Sequence, residues 1–187
     1  MLLAAATLVA SLASIAYFGW WSGLLAGQAS GYFLITHGLL AVLGVASGLH
    51  VVLSAMPRIG SRADSALWST IMLGIVPLVA IVNLAAGNGD HAHEGLNDHV
   101  AAMCTVSSLL AGSLVLGASV LWLRRGAPVS IERAGWLAGL AAGSLGTLAY
   151  GITCPLDTLS HVGMWHIAPV AIAAVAGRLI VPPLIRW

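Results

Sequence analysis

The chain has 187 residues, 59% hydrophobic and only 7% charged, with 22 glycines, seven basic residues that are all arginine, and six acidic ones. This lies far outside the composition of soluble domains. A formal net charge of +1, with no arginine cluster large enough to track phosphates, also sets aside direct nucleic-acid binding.

A helix that spans a bilayer needs roughly 20 mostly apolar residues. Six runs meet that need, at about 2–26, 31–56, 66–87, 98–123, 134–153 and 162–182. The expected fold is therefore all-α, a single polytopic membrane domain over 1–187 built as a bundle of six transmembrane helices. In the first run, small residues such as Ala10, Ser11, Ala13 and Ser14 suggest a secretory signal. No basic residue precedes them and the run continues through Trp20 and Trp21, so it is expected to stay as an uncleaved helix.

The second run carries His37 near its start and His50 deep inside it, with Gly44 and Gly48 offering a close-packing surface. At about 100° per residue the two histidines point about 220° apart. They do not make a haem-binding face. Pro77 in the third run is expected to kink its helix.

Between the third and fourth runs lies HAHEGLNDHVAAMC, His91 to Cys104, with three histidines, two acids and a cysteine. Cys104 falls about one and a half turns into the fourth run. The fifth contains GWLAGLAAGSLG, where Gly135, Gly139 and Gly143 recur every four residues and give another helix a smooth stripe to approach. It closes on Cys154. Asp157, His161 and His166 follow, and Pro169 is expected to kink the sixth helix three residues beyond His166.

Arginine-bearing loops face the cytoplasm. Arg58 and Arg62 lie between the second and third runs, Arg124, Arg125 and Arg133 between the fourth and fifth, and Arg178 and Arg186 near the end of the sixth. The connections at 27–30, 88–97 and 154–161 have none. Six spans with both termini cytoplasmic put every arginine on one side, and place six of the seven histidines and both cysteines toward the periplasm.

In that oxidising compartment a thiol pair forms a disulfide or binds a soft metal as thiolates. Cys104 and Cys154, on different helices at matching depth, form the candidate sensor pair. Imidazole joins thiolate for zinc, cadmium or copper. The candidate metal set is Cys104, Cys154, His99 and His166, with His37, His91, His93 and His161 as further candidate ligands. The signal is clustering by depth, since no two of these form a short ligand motif. No nucleophile is paired with a base, and no phosphate loop or paired intramembrane carboxylate is present, which argues against an enzyme and against an ion-coupled transporter.

From the fourth run onward the chain reads MCTVSSLLAG, LRRGAP, AGLAAGSLGTLAYGITC, MWHIAPV and GRLIVPPLIRW. This order resembles the NrsF-type family of bacterial inner-membrane anti-sigma factors, over about residues 97–187 closely and over the first half only in helix number. The matching positions are Cys104, Cys154, the turn Arg124 to Pro128, Trp165 with His166, and Ile185 to Trp187. The resemblance implies a six-helix protein that sequesters an extracytoplasmic-function (ECF) sigma factor on its cytoplasmic face and senses a periplasmic signal through the cysteines. Arg58, Arg62, Arg124, Arg125 and Arg133 are then the expected partner contacts. Two features depart from the family. Its members usually begin with a cytoplasmic segment before the first helix, and often have histidine where Thr153 precedes the second cysteine.

The rival expectation is a small metal permease or metal-binding membrane protein, in which GLNDHVAAM would be an entry site similar to a helix of nickel permeases. Toward the cytoplasm only His50, Asn83 and a few hydroxyls would continue such a path.

Overall fold

The computed structural model describes residues 1–56, 64–85 and 99–186. Arg58, Arg62, His91 and His93 lie outside them, as does the side chain of His99. The helices are α1 Leu2–Phe18, α2 Ser22–Leu25, α3 Gly31–Ser54, α4 Asp64–Ala85, α5 His99–Leu123, α6 Ile131–Gly151, α7 Leu159–Trp165 and α8 Ala168–Ile185. No strand occurs among the described residues. Among the described residues, three segments, Gly31–Ser54, Ala101–Leu123 and Leu159–Ile185, are long and apolar enough to cross a membrane.

The first apolar run is interrupted. α1 ends at Gly19, whose φ of 81° is costly for a residue with a Cβ, and the chain passes Trp20 and Trp21 before the short α2. The sixth run is also divided. His166 and Ile167 separate α7 from α8, and Pro169 sits in the first turn of α8, where its missing N–H costs nothing. The expected kink is therefore a helix start.

Helix α6 is the centre, packed against α8, α5 and α3, and fifteen of its 21 residues are buried. Small side chains make this possible. A Cβ on Gly143 would come within 2.6 Å of the Val170 backbone in α8, and one on Gly112 of α5 within 2.7 Å of the Ala142 carbonyl. Backbones thus touch where lipid-soluble helices gain most from close contact. The outer faces carry the large residues instead, among them Leu34, Val42 and Leu49 on α3, Val106, Leu110 and Leu121 on α5, and Val175 and Leu179 on α8. Small inside and large apolar outside is an arrangement suited to hydrocarbon.

Gly143→Ala is expected to cost about 1–3 kcal/mol through overpacking against α8. Gly117 of α5 faces open space, so Gly117→Ala should be neutral or stabilising by up to about 1 kcal/mol. Unfolding of both variants in one detergent checks the opposite signs.

Candidate metal centre

One end of the bundle gathers the chemistry. Cys104 is in the second turn of α5, while α6 reaches Tyr150 and Gly151 at the same level before the chain turns to Cys154. That turn is held by backbone bonds from Thr153 N to Tyr150 O and from Cys154 N to Gly151 O, at 2.9 and 3.2 Å. The following residues are tied to α3. Ser30 N donates to Asp157 Oδ2 at 2.8 Å, and Ser30 Oγ donates to Asp157 O at 2.7 Å while accepting from Phe33 N at 3.2 Å as the N-cap of α3. Thr158 caps α7 by accepting from His161 N at 3.4 Å.

These ties bring four buried side chains together. The Cys104 and Cys154 sulfurs lie 3.5 Å apart as free thiols, and His161 Nε2 sits 3.4 Å from the first and 3.5 Å from the second. With His166, which is also fully buried, each residue offers a ligand atom, and none of these atoms is more than 4.8 Å from another. Tyr150 Oη adds a contact to Cys104 at 3.6 Å. Hydrogen bonding to Cys104, and then burial, push the Cys154 thiol above its ordinary range.

The donor set suits a borderline-soft metal. Zinc bonds of about 2.3 Å to sulfur and about 2.0–2.1 Å to nitrogen imply tetrahedron edges of about 3.3–3.8 Å. The three separations among the two sulfurs and His161 Nε2 fall in that interval. Two ring nitrogens of the group, His161 Nδ1 and His166 Nε2, are buried and find no hydrogen-bond partner among the described residues.

Of the candidate ligands named from sequence, Cys104, Cys154 and His166 come together, and His161 joins them from α7. His37 lies one layer behind, with its Nε2 at 3.2 Å from His166 Nδ1 and its Nδ1 at 2.9 Å from the Phe33 carbonyl. Sequence reasoning overlooked Tyr150, although its place four residues before Cys154 at the end of a helix was a usable signal. The described arginines lie at the far end. Arg124 Nε donates to Leu184 O at 2.7 Å, and exposed Arg178 pairs with Glu132 at 3.4 Å.

Over the described residues, the fold and the site together define an all-helical protein with helices able to span a membrane and a buried group of two cysteines and two histidines. Over its whole length, residues 1–187, the chain matches the family model NrsF, negative regulator of sigma F, and it belongs to that family. The match takes in the first half, which the motifs alone linked only by helix number. Comparison with curated proteins and with solved structures gives no match. The family's description is of a regulator, which implies binding to a sigma factor and not catalysis.

Asp157→Ala should cut the clasp over α3, lowering stability by about 1 kcal/mol. It should also speed maleimide labelling of the two thiols in the folded protein. Equal labelling rates with and without the substitution would show that the clasp does not hold the site closed.

Proposed function

We propose that the chain is a membrane-bound anti-sigma factor of the bacterial inner membrane, with six spans and both termini cytoplasmic. It sequesters an ECF sigma factor and releases it on a periplasmic metal or redox signal sensed by Cys104 and Cys154. The observation that carries this reading is the buried thiol pair at the opposite end of the bundle from Arg124, in a chain of the NrsF family. The one-sided arginines support the orientation. The cytoplasmic face is formed by the arginine loops, with Arg58, Arg62, Arg124, Arg125 and Arg133 as polar contacts to the sigma factor.

The mechanism is a two-state bundle. Metal capture or thiol oxidation fixes α5 against the end of α6, and the turn that joins these helices at their other ends passes the change to the bound sigma factor. If thiol oxidation is the signal, a periplasmic oxidant accepts two electrons and two protons as one sulfur–sulfur bond forms. Moving the population from 1:99 to 99:1 requires the outer event to favour one state by about 5.5 kcal/mol.

Reporter fusions after Gly89 and after Asp157 should behave as periplasmic, and cytoplasmic behaviour at either point removes the six-span topology. An ECF sigma factor should co-purify with the protein from detergent extracts. Cys104→Ser and Cys154→Ser should each bring the induction ratio of a sigma-dependent reporter close to one while leaving membrane insertion intact. Arg125→Glu with Arg133→Glu should weaken sigma capture about tenfold or more, a change of about 1.4 kcal/mol or above. Unchanged induction in both cysteine variants would leave the thiols as core packing alone.

A further inference from the structure

Three rings and a carbonyl form a line that ends at the cysteines. The Phe33 carbonyl can only accept, so the 2.9 Å contact makes His37 Nδ1 the donor. Burial favours uncharged imidazoles, which leaves His37 Nε2 as a lone pair. Its partner at 3.2 Å, His166 Nδ1, must then carry the proton. The consequence falls on the other side of the His166 ring. Its Nε2 holds a lone pair, fully buried and without a hydrogen-bond partner among the described residues.

The stack that holds this line is tight. The Phe33 and His37 rings lie face to face with centroids 3.8 Å apart, and Trp21 packs edge-on against Phe33 at 5.2 Å. Gly151 makes room for His37, since a Cβ there would run into the His37 ring. In α7 and its cap, His161 and His166 are five residues apart, which in a continuous helix would turn them about 140° from each other. The end of α7 at Trp165 leaves both rings with a nitrogen in the same four-residue group.

We propose that Cys104, Cys154, His161 and His166 form a closed four-coordinate site for a tetrahedral, borderline-soft divalent cation of the zinc or cadmium class. In this site His37 is a positioning residue that fixes the tautomer of His166. This rests on the sensory reading of the cysteine pair and names its ligand. Both thiols bind as thiolates and their protons pass to solvent. His37 stays outside the coordination sphere because both of its nitrogens are already engaged. A partner of this kind orients the ligand ring and raises its basicity, and its loss typically weakens binding about 10–100-fold.

The test is titration of the reduced full-length protein in detergent with cobalt(II) alone, followed by displacement with zinc or cadmium. One cobalt per chain should bind, with the visible bands of tetrahedral cobalt and a thiolate charge-transfer band that Cys154→Ser diminishes. His37→Ala should keep the stoichiometry and band positions while raising the dissociation constant about 10–100-fold. His37→Gln, whose side-chain oxygen can accept from His166 Nδ1, should recover most of the loss. If His37→Ala does not fold, Gly151→Ala carries the same test, because its methyl group displaces the His37 ring. An unchanged affinity in these variants, or a shifted cobalt spectrum in His37→Ala, overturns the positioning role. Six-coordinate or absent cobalt binding by the unmodified protein overturns the site. Sigma capture is measured separately. Release by oxidants without metal binding would sink this inference and spare the sensory reading, whereas metal binding without release would do the reverse.

Discussion

Backbone-to-backbone contact around α6 is the constraint on which the other features depend. In a hydrocarbon setting helices gain little from burying leucine against leucine, because lipid offers the same environment. What distinguishes packed from dispersed helices is closeness, and closeness needs residues without bulk. Gly143 against Val170 and Gly112 against Ala142 supply it on two sides of one helix. Because α6 cannot tilt or turn without clashing on these faces, its last turn is a fixed platform. Tyr150, Gly151 and the turn to Cys154 inherit that fixity. A site assembled from three helices and two connections requires it, since errors in each element would otherwise add.

The same packing governs the polar interior. Thr147 Oγ1 donates back to Gly143 O at 2.8 Å and Ser119 Oγ to Val115 O at 2.8 Å, so these hydroxyls satisfy themselves within their own helices. Such residues stay small enough for close helix approach and add no charge. The histidines cannot settle this way, because a ring has two nitrogens and a helix offers only its carbonyls. His37 uses one carbonyl and one neighbouring ring. Among the described residues, His166 meets the ring of His37 on one side, and its other nitrogen has no hydrogen-bond partner and is directed by chain geometry.

Much of this was legible in the sequence for physical reasons. Apolar runs report where helices lie, and the four-residue glycine period of the fifth run reports a contact face, which the structure places against α8. The break after Phe18 was hidden because Trp20 and Trp21 keep the run apolar while Gly19 alone changes the backbone direction. Pro169 was taken for a kink because a proline inside a hydrophobic run looks the same whether it bends one helix or begins another. The cysteines stood out by rarity. His37 and His166, 129 residues apart, meet through tertiary packing, so their common depth could suggest both as ligands but could not tell which nitrogen is spent on the other ring.

On the proposed reading, the two ends of the bundle communicate through α5 and α6, which share the site at one end and a turn at the other. The turn is as tightly set as the site. A Cβ on Gly126 would strike the backbone of Ala55, and Arg124 is held by the Leu184 carbonyl. A hairpin of this kind transmits little by bending, because its helices are stiff over their length. It can transmit by sliding, since smooth faces such as Gly112 against Ala142 present few interlocking side chains to resist a small axial shift. Closing the 3.5 Å between the Cys104 and Cys154 sulfurs to a disulfide bond of about 2.0 Å would impose such a shift, and the clasp of Asp157 on Ser30 would carry it to α3. The arginine end then moves as a set of loops fixed to rigid rods, so the sign of the response is decided by which helix the sigma factor grips.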